Sequence, residues 1–155
     1  MRSDRWILPK QANRRGATAV EAAIVLPVLF AVLFAIMDLG IAATRYNAIA
    51  EVAHRVAREA VLHGSLSEDS ADMWGPSEYS GTLADGSEVV ATAANMIATM
   101  DAGDVRVRVS WPDVDNSPRD RVQVDVEYDH VPLVPLFCPW GTLELRSTAT
   151  MHVVN

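Results

Sequence analysis

Hydrophobic positions run unbroken from Ala22 to Ala43, with Asp38 the only ionisable side chain among these 22 residues. At ~1.5 Å rise per residue such a helix is about 33 Å long, enough to cross a ~30 Å hydrocarbon core. Beyond Ala43 the continuous run stops but helical spacing persists. In "TRYNAIAEVAHRVAREAVLHG" Ile49, Val52, Ala53, Val56, Ala60 and His63 recur at three- and four-residue steps, with Arg45, Glu51, Arg55, Arg58 and Glu59 on the other face. Neither Gly nor Pro breaks the join, and Gly64 is a sensible stop. The pattern predicts one long helix, its first half in lipid and its second half in water with one apolar stripe.

The next stretch, "GSLSEDSADMWGPSEYSGTLADG", has no sustained period and reads as loop. Asp85 and Glu88 form a capping-box-like pair ahead of an apolar stripe at Val89, Ala93, Met96, Ile97 and Met100, predicting a short amphipathic helix over about 87–101. Then the period becomes two. "DVRVRVSW", "RVQVDVEYDH" and "TLELRSTATMHVV" alternate apolar and polar residues and predict strands over about 104–111, 121–130 and 142–154. The expected architecture is α+β: a single-pass membrane protein whose long N-terminal helix packs its outer half on a small three-stranded antiparallel sheet. Its parts are 1–16, a basic leader; 17–43, the transmembrane segment; 44–63, the amphipathic continuation; and 64–155, an exported α+β domain. The apolar "HVPLVPLFCPWG" between the last two strands is expected to fold over the open side of the sheet as core, with partner docking as the alternative.

Charge gives this arrangement a direction. Residues 1–16 carry Arg2, Arg5, Lys10, Arg14 and Arg15 against Asp4, a net of +4, while the remainder carries −11. Basic flanks stay cytoplasmic, so the C-terminal portion is expected outside. Its acidity argues against a nucleic-acid partner. Lys10 is the only lysine, which leaves no phosphate-binding Gly-Lys-Ser/Thr loop. Cys138 is the only cysteine and cannot form a disulfide within the chain. His54, His63, His130 and His152 lack metal-ligand spacing, and no nucleophile elbow is present, so no enzyme activity, cofactor or metal site is expected. Asp113, Asp115, Asp120, Asp125, Glu127 and Asp129 read as solvated strand edges, with a weak Ca²⁺ site as the alternative.

Glu21 is the anomaly of the apolar segment. A carboxylate there costs up to ~2.5–3.5 kcal/mol at a helix centre and less toward the edge, so such residues usually have a partner. Cutting between Gly16 and Ala17 would free the Ala17 α-amine and make Glu21 the fifth residue of the mature chain. An ammonium on a neighbouring subunit would then neutralise the acid and align one helix against the next. Asp38 either reaches the outer interface alone or, in a helix bundle, pairs with Arg45 of a neighbour.

The motif "G-A-T-A-V-E", preceded by basic residues and followed by an apolar helix, resembles the processing site of type IV pilins and pseudopilins. More narrowly, Arg15–Gly16, Val20–Glu21, Pro27, Asp38–Gly40 and the Ala/Arg-rich residues 48–60 are similar to the TadE-like family. Ala22 follows the glutamate where that family often has an aromatic residue. The resemblance implies a pilin-like fold and a minor pilin or pseudopilin of a tight-adherence (Flp, type IVb) pilus. It implies maturation by a prepilin peptidase in the bacterial inner membrane, and other pilins, an assembly platform and membrane lipid as partners. The competing expectation is an extracytoplasmic domain of unknown ligand behind a signal anchor or a signal peptide with its exit at Ala42–Ala43.

Overall fold

The computed structural model describes residues 14–64, 74–136 and 141–154. Helix α1 runs from Arg14 to Leu62, 49 residues, and passes through Pro27 without interruption. From Ala22 to Met37 it is apolar on every side, and its side chains there are exposed or half-exposed. Its outer half buries one stripe: Asp38, Ala42, Ile49, Val52, Ala53, Val56, Ala57, Ala60 and Val61. The three- and four-residue steps keep that stripe on one face.

The stripe lies on a four-stranded antiparallel sheet of order β1-β2-β3-β4: Tyr79–Thr82, Arg106–Ser110, Arg121–His130 and Leu143–His152. Alternation turns Val107 and Val109, then Val122, Val124, Val126 and Tyr128, then Leu145 and Ala149 into the core, where β3 and β4 lie against α1. The opposite face pairs charges across strands, with Arg106 to Asp129 at 3.0 Å and Arg146 to Asp125 at 3.2 Å.

Four strands replace the three expected. The added strand β1, "YSGT", carries no apolar alternation; it forms because its backbone completes the edge of β2, from Tyr79↔Val109 to Thr82↔Arg106. A side chain at Gly81 would strike the Asp85 carboxylate and the Tyr79 hydroxyl, so glycine is what allows that close approach. The single helix expected over 87–101 is also corrected. It divides into α2, Glu88–Ala91, and a 3₁₀ turn, Ala94–Met96. Thr92 and Ala93 separate the two, yet Val90, Ala93 and Ile97 all bury. Asp85 does not cap forward toward Glu88. Its carboxylate instead accepts from the Thr82 amide and hydroxyl, both at 2.8 Å.

Strand order and direction give the domain two ends. At the far end Asn116 is buried, donates to the carbonyls of His63 and Trp74, and accepts from Trp111 Nε1. At the near end, toward the inner half of α1, lie the start of β2, the end of β3 and the start of β4. Among the described residues of the segment after β3, Val131, Leu133 and Leu136 are exposed and do not pack as core, whereas Pro132 is buried and Val134 half-buried. Phe137, Cys138 and Trp140, assigned with them to the same core segment, lie outside the described residues.

Candidate functional site

Asp38 and Arg45 are seven residues apart, two turns of one helix, and so share a face. His130 is the last residue of β3, and continues the inward series Val122, Val124, Val126, Tyr128. The register of β3 on α1 brings its ring between the two charged groups. Arg45 Nη1 lies 2.7 Å from His130 Nδ1. A guanidinium only donates, so Nδ1 is the acceptor and the ring proton belongs on Nε2. Nε2 faces Asp38 Oδ2 at 3.4 Å, a long contact. The other carboxylate oxygen, Oδ1, accepts from the Leu133 amide at 3.0 Å.

Arg45 has further work at this junction. Its Nη2 donates to the Thr99 carbonyl at 3.1 Å and its guanidinium lies 5.4 Å from the centre of the Tyr128 ring. Asp38 and His130 are essentially sealed, at 1% and 0% exposure. Burying a single charge is costly; an acid and a base bridged by a neutral imidazole form a balanced unit. Arg45 Nε alone, among the described residues, is a buried side-chain polar atom without a partner. The cluster thus joins helix, β3, the segment after β3 and the Thr99 turn at the point where the apolar half of α1 ends. The structure brings Asp38 and Arg45 together through His130 within one chain, a role for His130 absent from the expectations above.

Gly16, Ala17 and Glu21 lie far from this junction. With Val20 and Ile24 they line one open face near the start of α1, all exposed. Among the described residues none pairs with the Glu21 side chain. The Arg14 and Arg15 side chains and residues 1–13, the rest of the basic leader, lie outside the described side chains.

The six acids near the strand turns do not converge. Asp113 takes Arg121 at 2.6 Å, Asp115 the Ser117 hydroxyl at 2.6 Å, and Asp129 Arg106 at 3.0 Å. Hydrogen bonds from the Arg121 side chain and amide hold Asp113 down to about 2. For Asp125 burial pushes upward, but bonds from Thr148, Gln123 and Arg146 outweigh it and leave the carboxyl below its ordinary value. Among the described residues no group of three or more His, Cys, Asp or Glu is placed to hold a metal ion.

Residues 16–58 match the family model described as TadE-like protein, the family that the motifs of this stretch resemble. The match begins at Gly16, contains Ala17, Glu21, Asp38 and Arg45, and ends before the sheet. That family suggests involvement in the Tad pilus system. No curated protein and no solved structure matches the chain. Among the described residues, one helix is long and apolar enough to cross a membrane, by length and composition.

Proposed function

From the premise of a TadE-like helix, we propose that this chain is a minor pilin or pseudopilin that helps to assemble a tight-adherence (Flp, type IVb) pilus. It is held in the inner membrane by α1, with its N-terminus cytoplasmic and its sheet domain outside. A prepilin peptidase cuts between Gly16 and Ala17. The freed Ala17 ammonium of one subunit then meets Glu21 of another pilin as the assembly platform lifts the helix. The chain performs no bond chemistry; its function is to dock.

The observation that carries this reading is the open face of Gly16, Ala17, Val20, Glu21 and Ile24 at the start of the family match. An acid in an apolar segment, without a partner on its own chain among the described residues, is suited to a partner on another. A cut at Ala42–Ala43 would suit a secreted domain, but it would remove Asp38, to which the Leu133 amide and His130 are bonded. That favours keeping the helix whole.

Two variants test the proposal in cells. Gly16→Ala should leave the leader attached. Glu21→Leu should be cut normally yet reduce surface piliation and adhesion. Normal piliation by the Glu21→Leu chain would remove the assembly role of the carboxylate.

A further inference from the structure

We propose that the segment directly after β3, residues 131–136, is a lipid-contacting foot: its exposed apolar side chains enter the outer leaflet at the boundary between headgroups and acyl chains. The inference rests on α1 spanning the membrane as set out above.

Depth is the first argument. The Leu133 amide is bonded at 3.0 Å to Asp38, and Asp38 belongs to the apolar run. If the membrane is centred on residues 22–43, Asp38 lies about 7 Å inside its outer edge at ~1.5 Å per residue. If it is centred on residues 17–37, a length of about 32 Å, Asp38 sits at that edge. In both placements the segment after β3 is held at or below the lipid surface.

The chemistry of the segment is the second. "VPLVPL" contains no polar side chain. Val131 and Leu133 are each 59% exposed and Leu136 is 85% exposed, whereas Pro132 between the first two is buried. Backbone donors are a liability in lipid because no water is there to pair them. Pro132 and Pro135 have no N–H, and the Leu133 N–H is taken by Asp38. The apolar surface of the inner half of α1 therefore continues onto the foot. Asp104, Asp129 and Arg106 line a cleft with Val131; Arg106 pairs with Asp129 at 3.0 Å, which leaves Asp104 to make a zwitterionic surface suit the foot slightly better than an anionic one.

The test uses the full chain with Cys138→Ser, reconstituted in phosphatidylcholine vesicles. Single cysteines are introduced as Leu136→Cys, Leu29→Cys or Val114→Cys and labelled with an environment-sensitive fluorophore. Val114, 83% exposed in the turn between β2 and β3, reports the far end. Leu136 is exposed as well, so its replacement does not disturb packing. The expected result is a blue shift at Leu136→Cys, with emission lost more to spin labels shallow in the acyl chain than to deep ones. Leu29→Cys should lose emission to deep labels, and Val114→Cys to neither. Emission at Leu136→Cys matching that at Val114→Cys, with Leu29→Cys still quenched, overturns the foot alone. An unquenched Leu29→Cys removes the spanning helix and the foot with it.

Discussion

The two halves of α1 share one continuous backbone and have different surroundings. From Gly16 to Met37 no described side chain is buried; from Asp38 to Leu62 one stripe is sealed against the sheet. From Ala22 the inner half is apolar all round, which suits lipid or other helices on any side. The outer half seals one apolar stripe and carries its arginines and glutamates mostly off that stripe, which suits a protein core on one side and water elsewhere. The change occurs at a polar junction, Asp38–His130–Arg45, not at a break in the helix.

The largest test of this contrast is truncation on each side of it. Ile49→Ala removes a fully buried side chain and should destabilise the domain by about 2–5 kcal/mol, read as a lowered thermal midpoint in detergent. Leu29→Ala should leave that midpoint unchanged. Comparable losses at both sites would show that the inner half also belongs to the domain core.

Next in size is the junction itself. Asp38→Ala strips the acceptor from the Leu133 amide and from His130, at about 1–3 kcal/mol for each buried group left unpaired. Hydrogen exchange at Leu133 should accelerate, while Val109, at the far end of β2, should keep its protection. Uniform acceleration would mean that the junction is not a local clamp. A smaller effect, about 1 kcal/mol, is expected for Arg45→Lys. A lysine cannot serve His130, Thr99 and the Tyr128 ring together.

Smallest is a pH effect confined to the outer domain. Asp113 is held at about 2, below its ordinary value of 3.8. Between these values the unfolded chain binds the extra proton, so the contribution of Asp113 is present above pH 3.8 and is lost as pH falls toward 2. Asp113→Asn should remove that part of the acid dependence. An unaltered acid profile would show the Arg121 pair to be ineffective, as exposed pairs often are.

Much of this contrast was legible as periodicity. The unbroken run, the stripe along the later part of the helix and the three alternating segments are local signals, each visible in a short window, although the sealed stripe begins at Asp38 and Ala42, ahead of the expected change after Ala43. The misses required tertiary knowledge. Strand β1 has no pattern of its own and exists because β2 offers an edge. The stretch expected to be one helix breaks at Thr92 and Ala93, and it needs only short turns to bury Val90, Ala93 and Ile97. The segment after β3 looked like core because it is apolar, but apolar content does not say whether protein or lipid covers it. His130 did carry a signal: it keeps the inward parity of β3, where a lone imidazole needs partners. Its meeting with Asp38 depends on how β3 registers along α1, which no local spacing encodes. The open face at Gly16, Ala17 and Glu21 rests on a motif, and its proposed role concerns other chains.

The central claim is that leader removal frees the inner half of α1 for its neighbours while the outer half stays fixed to its domain. Its most direct test is the intact mass of the mature protein recovered from carbonate-washed membranes. The account predicts a chain that begins at Ala17 and still contains Asp38. A mass that begins at Met1, or one that begins after Ala43, would contradict it.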